Sequence, residues 1–143
     1  MREIPVLITI QSNAHRDDEE EEPVRLITSG FLTLDQDKAT LLYEESLDES
    51  LPPQKVIVTI ENETMTVSRA GAYATQMVFH KGRRYEGIYE TPFGSMDLAI
   101  YCTRLRCELD LEGGEILLSY QMDLNGQFAA MHEMEMRLIT QNG

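Results

Sequence analysis

The sequence predicts an all-β fold, a single antiparallel up-and-down β-barrel domain over residues 1–143, and three observations carry that prediction. Apolar side chains recur at every second residue in Val6/Ile8/Ile10, Val56/Val58/Ile60, Met96/Leu98/Ile100 and Ile116/Leu118/Tyr120/Met122, which is the period of a strand and not of a helix. Turn residues punctuate these runs all the way from Ile4 to Ile139. About ten short strands joined mainly by hairpins suit closure into a barrel, which removes the sheet edges that invite aggregation.

The first strand covers Ile4 to Ser12, and the acidic run Asp17 to Glu22 after it reads as a solvated loop, because like charges in a row repel one another. A second strand, Val24 to Leu34, contains Gly30, a residue that marks a bulge or a sharp bend inside a strand. Asp35 to Lys38 turns the chain into a third strand, Ala39 to Glu45, and a loop from Ser46 ends at Pro52-Pro53, neither of which can donate to a ladder. Lys55–Ile60 and Thr64–Arg69 form a hairpin around Glu61-Asn62-Glu63. Gly71 opens a bend into Tyr73–His80, Lys81-Gly82-Arg83 turns into Tyr85–Thr91, and Pro92-Phe93-Gly94 turns again at Met96. Gly113-Gly114 and Asn125-Gly126 are placed to supply the positive φ of tight hairpins.

The apolar phase is even through Met96, Leu98, Ile100 and Cys102, and odd through Leu105, Cys107, Leu109 and Leu111. A slip of one residue turns the hydrophobic set outward unless a bulge or a corner absorbs it, so a bend or tight turn is placed at Thr103-Arg104. The last segment is ambiguous. Phe128, Ala130, His132, Met134, Met136 and Leu138 alternate as a strand, while Phe128, Met131, Met134 and Leu138 also make a helical stripe of residues that favour helix. The hairpin signal of Asn125-Gly126 decides for strand.

With 143 residues, 42% hydrophobic and 26% charged, the composition is that of one globular domain. The formal net charge of -13 argues against nucleic acid, whose phosphates are bound by clustered Lys and Arg, and against anionic membranes. No apolar run approaches spanning length and the N-terminus lacks a signal-peptide apolar region, so the expected location is cytoplasmic. Cys102 and Cys107 match neither a CxxC redox or zinc spacing nor a secreted disulfide framework, and His15, His80 and His132 are scattered. No cofactor or metal is expected. The sequence holds no G-x-S-x-G elbow, and no histidine lies near either cysteine in sequence.

Thr28-Ser29-Gly30-Phe31, Tyr43-Glu44-Glu45, Arg69-Ala70-Gly71, Met77-Val78-Phe79, the run Tyr89–Gly94 and Ile116–Tyr120 occur in an order that resembles the YwiB-like family, a bacterial domain of unknown function, over essentially the whole chain. The resemblance implies a calycin-type, lipocalin-like barrel and brings no activity, cofactor or catalytic set. The chain departs from that pattern in its longer loop around Leu47 to Pro53 and in its acidic run.

Strand phase gives one constellation with chemical content. Glu45 shares a face with Leu41 and Tyr43, Arg69 with Met65 and Val67, and His132 with Phe128, Met134 and Met136, so each is predicted to point toward the apolar side, with Tyr89 and Tyr120 beside them. Small barrels can enclose one ligand, and ligand sites combine apolar walls with a few convergent polar groups. Arg69, Glu45, His132, Tyr89 and Tyr120 are therefore the candidate ligand-binding residues for a small amphipathic or anionic molecule. The structural alternative is that Glu45 and Arg69 neutralise each other and His132 is a hydrogen-bonded core residue. The functions left open are a small-ligand receptor, an interaction or structural module with a filled barrel and a homodimer face using outward residues such as Ile57, Tyr73 and Ile139, and, least favoured, an enzyme working through His132 or Glu45.

Overall fold

A computed structural model of the protein describes residues 3–16, 19–20, 23–46 and 50–141. Its strands are β1 (Glu3–Arg16), β2 (Glu19–Glu20), β3 (Val24–Asp35), β4 (Lys38–Glu45), β5 (Gln54–Glu61), β6 (Thr64–Ala70), β7 (Ala74–His80), β8 (Arg84–Thr91), β9 (Gly94–Asp110), β10 (Gly113–Leu124) and β11 (Gln127–Thr140). Apart from β2, every strand pairs antiparallel with its neighbours in sequence, and β11 returns to β1 from Val6↔Thr140 to His15↔Met131. The result is a closed ten-stranded up-and-down barrel, without a helix among the described residues. None of its elements is a helix long and apolar enough to cross a membrane.

Four local expectations are revised. Glu19 and Glu20, inside the acidic run read as a loop, pair with Arg16 and His15 as β2, while Asp17, Asp18, Glu21 and Glu22 lie outside the described residues, as do Leu47 to Glu49 of the later loop. Gly30 does not mark a bulge, since Val6↔Gly30↔Tyr43 is continuous register. A Cβ there would meet the Leu42 carbonyl and come within 2.8 Å of Ile8 Cδ1, so close approach of neighbouring strands selects the glycine. Gly113 and Gly114 have the expected positive φ, 117° and 138°, but they open β10 beside the Leu111-Glu112 turn and do not form it, and a side chain at Gly114 would run into the Glu108 carbonyl. Phe128 does not share a face with His132. Ala129 is an extra residue between the pairs Met122↔Ala130 and Asp123↔Phe128, and this bulge turns Phe128 out to 46% exposure.

The phase slip at Thr103-Arg104 is real, but a bulge within one strand absorbs it in place of the expected bend or tight turn. Ser119 pairs with Arg104 and Tyr120 with Cys102, so Thr103 is surplus and β9 continues unbroken for 17 residues. The segment after Asn125-Gly126 is strand, and those two residues, at φ 52° and 78°, make the hairpin turn.

Inside, Val6, Ile8, Leu32, Leu41, Val58, Met65, Phe79, Leu98, Ile100, Ile116, Leu118 and Met136 are buried, from every strand of the ring except β8. Each contributes about 1.5–3 kcal/mol of apolar burial, so the middle of the barrel is a packed core. The wall is thinnest between β7 and β8, which share only the pairs Ala74↔Glu90 and Thr75↔Tyr89.

Candidate functional site: the polar mouth of the barrel

Alternation along β4 puts Leu41, Tyr43 and Glu45 on the inner face, and along β6 it does the same for Met65, Val67 and Arg69. Register aligns these positions into one row across five strands, Tyr43↔Val56↔Arg69↔Thr75↔Tyr89, with Glu45↔Gln54 directly beside it. The packed core thus ends in a polar layer at one mouth of the barrel.

Arg69 Nε donates to Glu45 Oε1 at 2.7 Å, and the two side chains are 24% and 12% exposed. Among the described residues no acceptor meets the two terminal nitrogens of the guanidinium. Burial opposes the charge of Arg69, but Glu45, the nearby tyrosines and the hydrogen bond together outweigh it and hold the group above its ordinary pKa. Burial pushes the Tyr43 phenol up to about 12, with Arg69 pulling the other way. Tyr89 and Tyr120 are also raised by burial and lowered by Arg69, which places all three phenols within electrostatic reach of one guanidinium.

Gln54 is the member of this layer that the strand reading omits. It is 2% exposed; its Oε1 accepts from the Tyr73 backbone N–H at 2.6 Å, and its Nε2 is buried with no hydrogen-bond partner among the described residues. Gly71, at φ 143°, lets the backbone pass over it, since a Cβ there would lie 2.9 Å from Gln54 Cγ. The signal was present in the parity of Gln54/Val56/Val58, hidden because Pro52-Pro53 made Gln54 look like loop. Tyr73 is not an outward residue either: its ring meets Tyr89 edge-on at 6.4 Å. Thr75 is buried, its hydroxyl donating to the Ile88 carbonyl at 3.5 Å.

Of the predicted residues, Glu45, Arg69 and Tyr89 therefore gather at the mouth and Tyr120 lies within electrostatic range of them. His132 meets this group through Tyr120, on whose ring it stacks at 4.9 Å, while Phe79 packs on Tyr120 at 4.8 Å. His80 is held elsewhere by Thr64, 2.9 Å from its Nδ1. No cluster of metal-binding side chains occurs among the described residues. Burial raises the Cys102 thiol, and it pushes Cys107 up to about 11, so both stay protonated near neutral pH and are poor nucleophiles.

What the mouth can do chemically is donate. Arg69 and Gln54 present N–H groups without acceptors beside phenols, which suits a carboxylate or phosphate oxygen.

Residues 8–136 match the family described as a domain of unknown function, DUF1934. The chain is 29% identical over 133 residues to the uncharacterized beta-barrel protein YwiB of Bacillus subtilis (strain 168), covering 93% of this chain and 92% of that protein. It also superimposes on the crystal structure of the ywiB protein from Bacillus subtilis with a TM-score of 0.87 at 27% identity, covering 98% of this chain and 94% of that one.

Proposed function

This chain belongs to the DUF1934 family, and on that premise we propose that its polar mouth is a receptor for a small amphipathic anion. The observation that carries this reading is the pairing of acceptor-free donors, the terminal nitrogens of Arg69 and the buried Nε2 of Gln54, on one inner layer with Tyr43 and Tyr89. A buried donor left unsatisfied costs about 1–3 kcal/mol, so a ligand oxygen that fills the site recovers that cost on binding. The ligand sits at the mouth, because the space beneath it is taken by Phe79, Met65 and the rest of the core. A cytoplasmic setting agrees with the two free thiols.

Calorimetric titration with octanoate, benzoate and inorganic phosphate tests the reading. Wild type is expected to bind at least one of them. Arg69→Lys is expected to weaken that binding about tenfold, because an ammonium keeps the charge but lacks the planar fork. Absence of heat with all three probes, or equal binding by the variant, would overturn the proposal.

A second reading, an interaction module, has its own observation. Pro5↔Phe31↔Leu42↔Ile57 is an apolar row on the outside of four adjacent strands, and it borders a cleft of about 700 Å³. Phe31 and Ile57 there are 47% and 44% exposed. Under this reading the Glu45–Arg69 pair is structural and partners dock on the outer wall.

A further inference from the structure

At the opposite end of the barrel, β9 outruns its neighbour. Its pairing with β8 ends at Arg84↔Tyr101, and Gly82 and Arg83 bond to Cys102 across the turn. From Thr103 to Asp110, β9 is paired to β10 on one side only, and among the described residues no backbone group bonds its other side. The Glu108 carbonyl faces β10, where a side chain at Gly114 would strike it. Alternation along the strand then directs the N–H and C=O groups of Leu105, Cys107 and Leu109 to the open edge.

The sequence of this edge is self-complementary about Cys107. Reading outward from that residue, Arg106 is matched by Glu108, Leu105 by Leu109, and Arg104 by Asp110. Arg104, Arg106, Glu108 and Asp110 are exposed, while Leu105, Cys107 and Leu109 are half-buried on the inner face. An antiparallel second copy whose two-fold axis passes through Cys107 sets every arginine opposite an acid and each leucine opposite a leucine. The same alignment pairs the residues whose backbone groups are open, Leu105 with Leu109 of the partner subunit and Cys107 with Cys107 of the partner subunit. A cleft of about 560 Å³ lies beside the edge, with Leu105, Cys107 and Ile60 on one part of its lining and Glu61, Glu63 and Lys81 on another, so it is open to a partner but is not apolar throughout. On a chain of net charge -13, which resists self-association, the four charges of this edge cancel.

We propose that the protein forms a homodimer by antiparallel pairing of the β9 edges, Thr103–Asp110, about a two-fold axis at Cys107. The pairing continues the sheet from one barrel into the next and protects both edges.

Sedimentation equilibrium of the full chain, with Arg106→Glu and Glu108→Arg variants, tests it. Wild type is expected to be dimeric. Each variant alone sets like charges opposite one another at two symmetry-related places and is expected to weaken the dimer by about tenfold or more. Mixing the two variants restores opposite charges at both places, so a heterodimer of near wild-type affinity is expected. Melting curves control for folding: Arg106 and Glu108 also pair with each other within the chain at 2.6 Å, but both side chains are exposed, so losing that pair is expected to shift the melt little. A monomeric wild type, single variants that dimerise unchanged, or a mixture that fails to pair would each overturn the proposal.

Discussion

Two arginine–glutamate pairs in this barrel have the same geometry and opposite surroundings. Arg69–Glu45 joins β6 to β4 at 2.7 Å inside the mouth, with side chains 24% and 12% exposed. Arg137–Glu135 also closes at 2.7 Å, but on the outer wall of β11, with side chains 67% and 36% exposed. The lesson is that bond length says little about what a pair does. The outer pair stays in contact with water, Arg137 above all, so separating it costs little. The inner ions have given up most of theirs, and each is tolerated only while the other is present. The inner pair also bridges strands that are not adjacent in the ring, so it fixes the shape of the mouth as well as its charge.

The largest expected effect comes from breaking the inner pair on one side. Glu45→Gln or Arg69→Met strands a mostly desolvated charge, and the expected loss is about 3 kcal/mol, or roughly 10 °C in Tm. The combination of both substitutions removes the stranded charge, so its loss is expected to be smaller than the sum of the single losses. Urea melts of the four proteins measure the coupling directly. Strict additivity would show that the two side chains do not depend on each other.

Much of this contrast is legible in the sequence, because the period of two fixes which face a residue occupies. Placing Glu45 on the face of Leu41 and Tyr43, and Arg69 on that of Met65 and Val67, is enough to put both inside a barrel. What alternation cannot give is register. That Glu45 lies opposite Gln54, and that Arg69 shares a row with Thr75 and Tyr89, depends on hairpin geometry and on how the ring closes. Bulges also escape it unless both flanks are apolar. The slip at Thr103 shows because Cys102 and Leu105 betray it, whereas Ala129 hides among residues that read well in either phase. His132 illustrates a further limit: its inward face was readable, but its partner Tyr120, and so its distance from the mouth, was not.

An intermediate effect is expected from Tyr43, which the inner pair flanks. Its phenol is pushed up to about 12 by burial, against the ordinary value of about 10 in an unfolded chain. Well below pH 10, at about pH 9 and lower, it is almost wholly neutral in both states and costs nothing. As the pH rises from there the unfolded chain releases the proton first, so stability falls until the folded phenol ionises as well. The loss is expected to be roughly 1.4 kcal/mol by about pH 11, relative to Tyr43→Phe, which cannot ionise. Urea melts of wild type and Tyr43→Phe at about pH 9 and about pH 11 isolate it from other groups that titrate in that range. Parallel curves would mean that the phenol is solvated and the mouth far wetter than its burial implies.

The smallest effect belongs to the outer pair. Arg137→Met removes a side chain whose partner, Glu135, simply rehydrates, so no measurable change in Tm is expected. Its guanidinium is held above its ordinary pKa by the hydrogen bond and charge of Glu135, yet a pair on the outer wall whose arginine is two-thirds exposed gains little from that preference. Added salt discriminates further. Raising the ionic strength shortens the range of charge interactions from about 10 Å to about 3 Å and screens exposed ions far more than desolvated ones. Salt is therefore expected to leave the penalty of Arg69→Met nearly intact. If Arg137→Met proved as costly as Arg69→Met, or if salt erased the cost of the inner substitution, desolvation would not be what separates the two pairs.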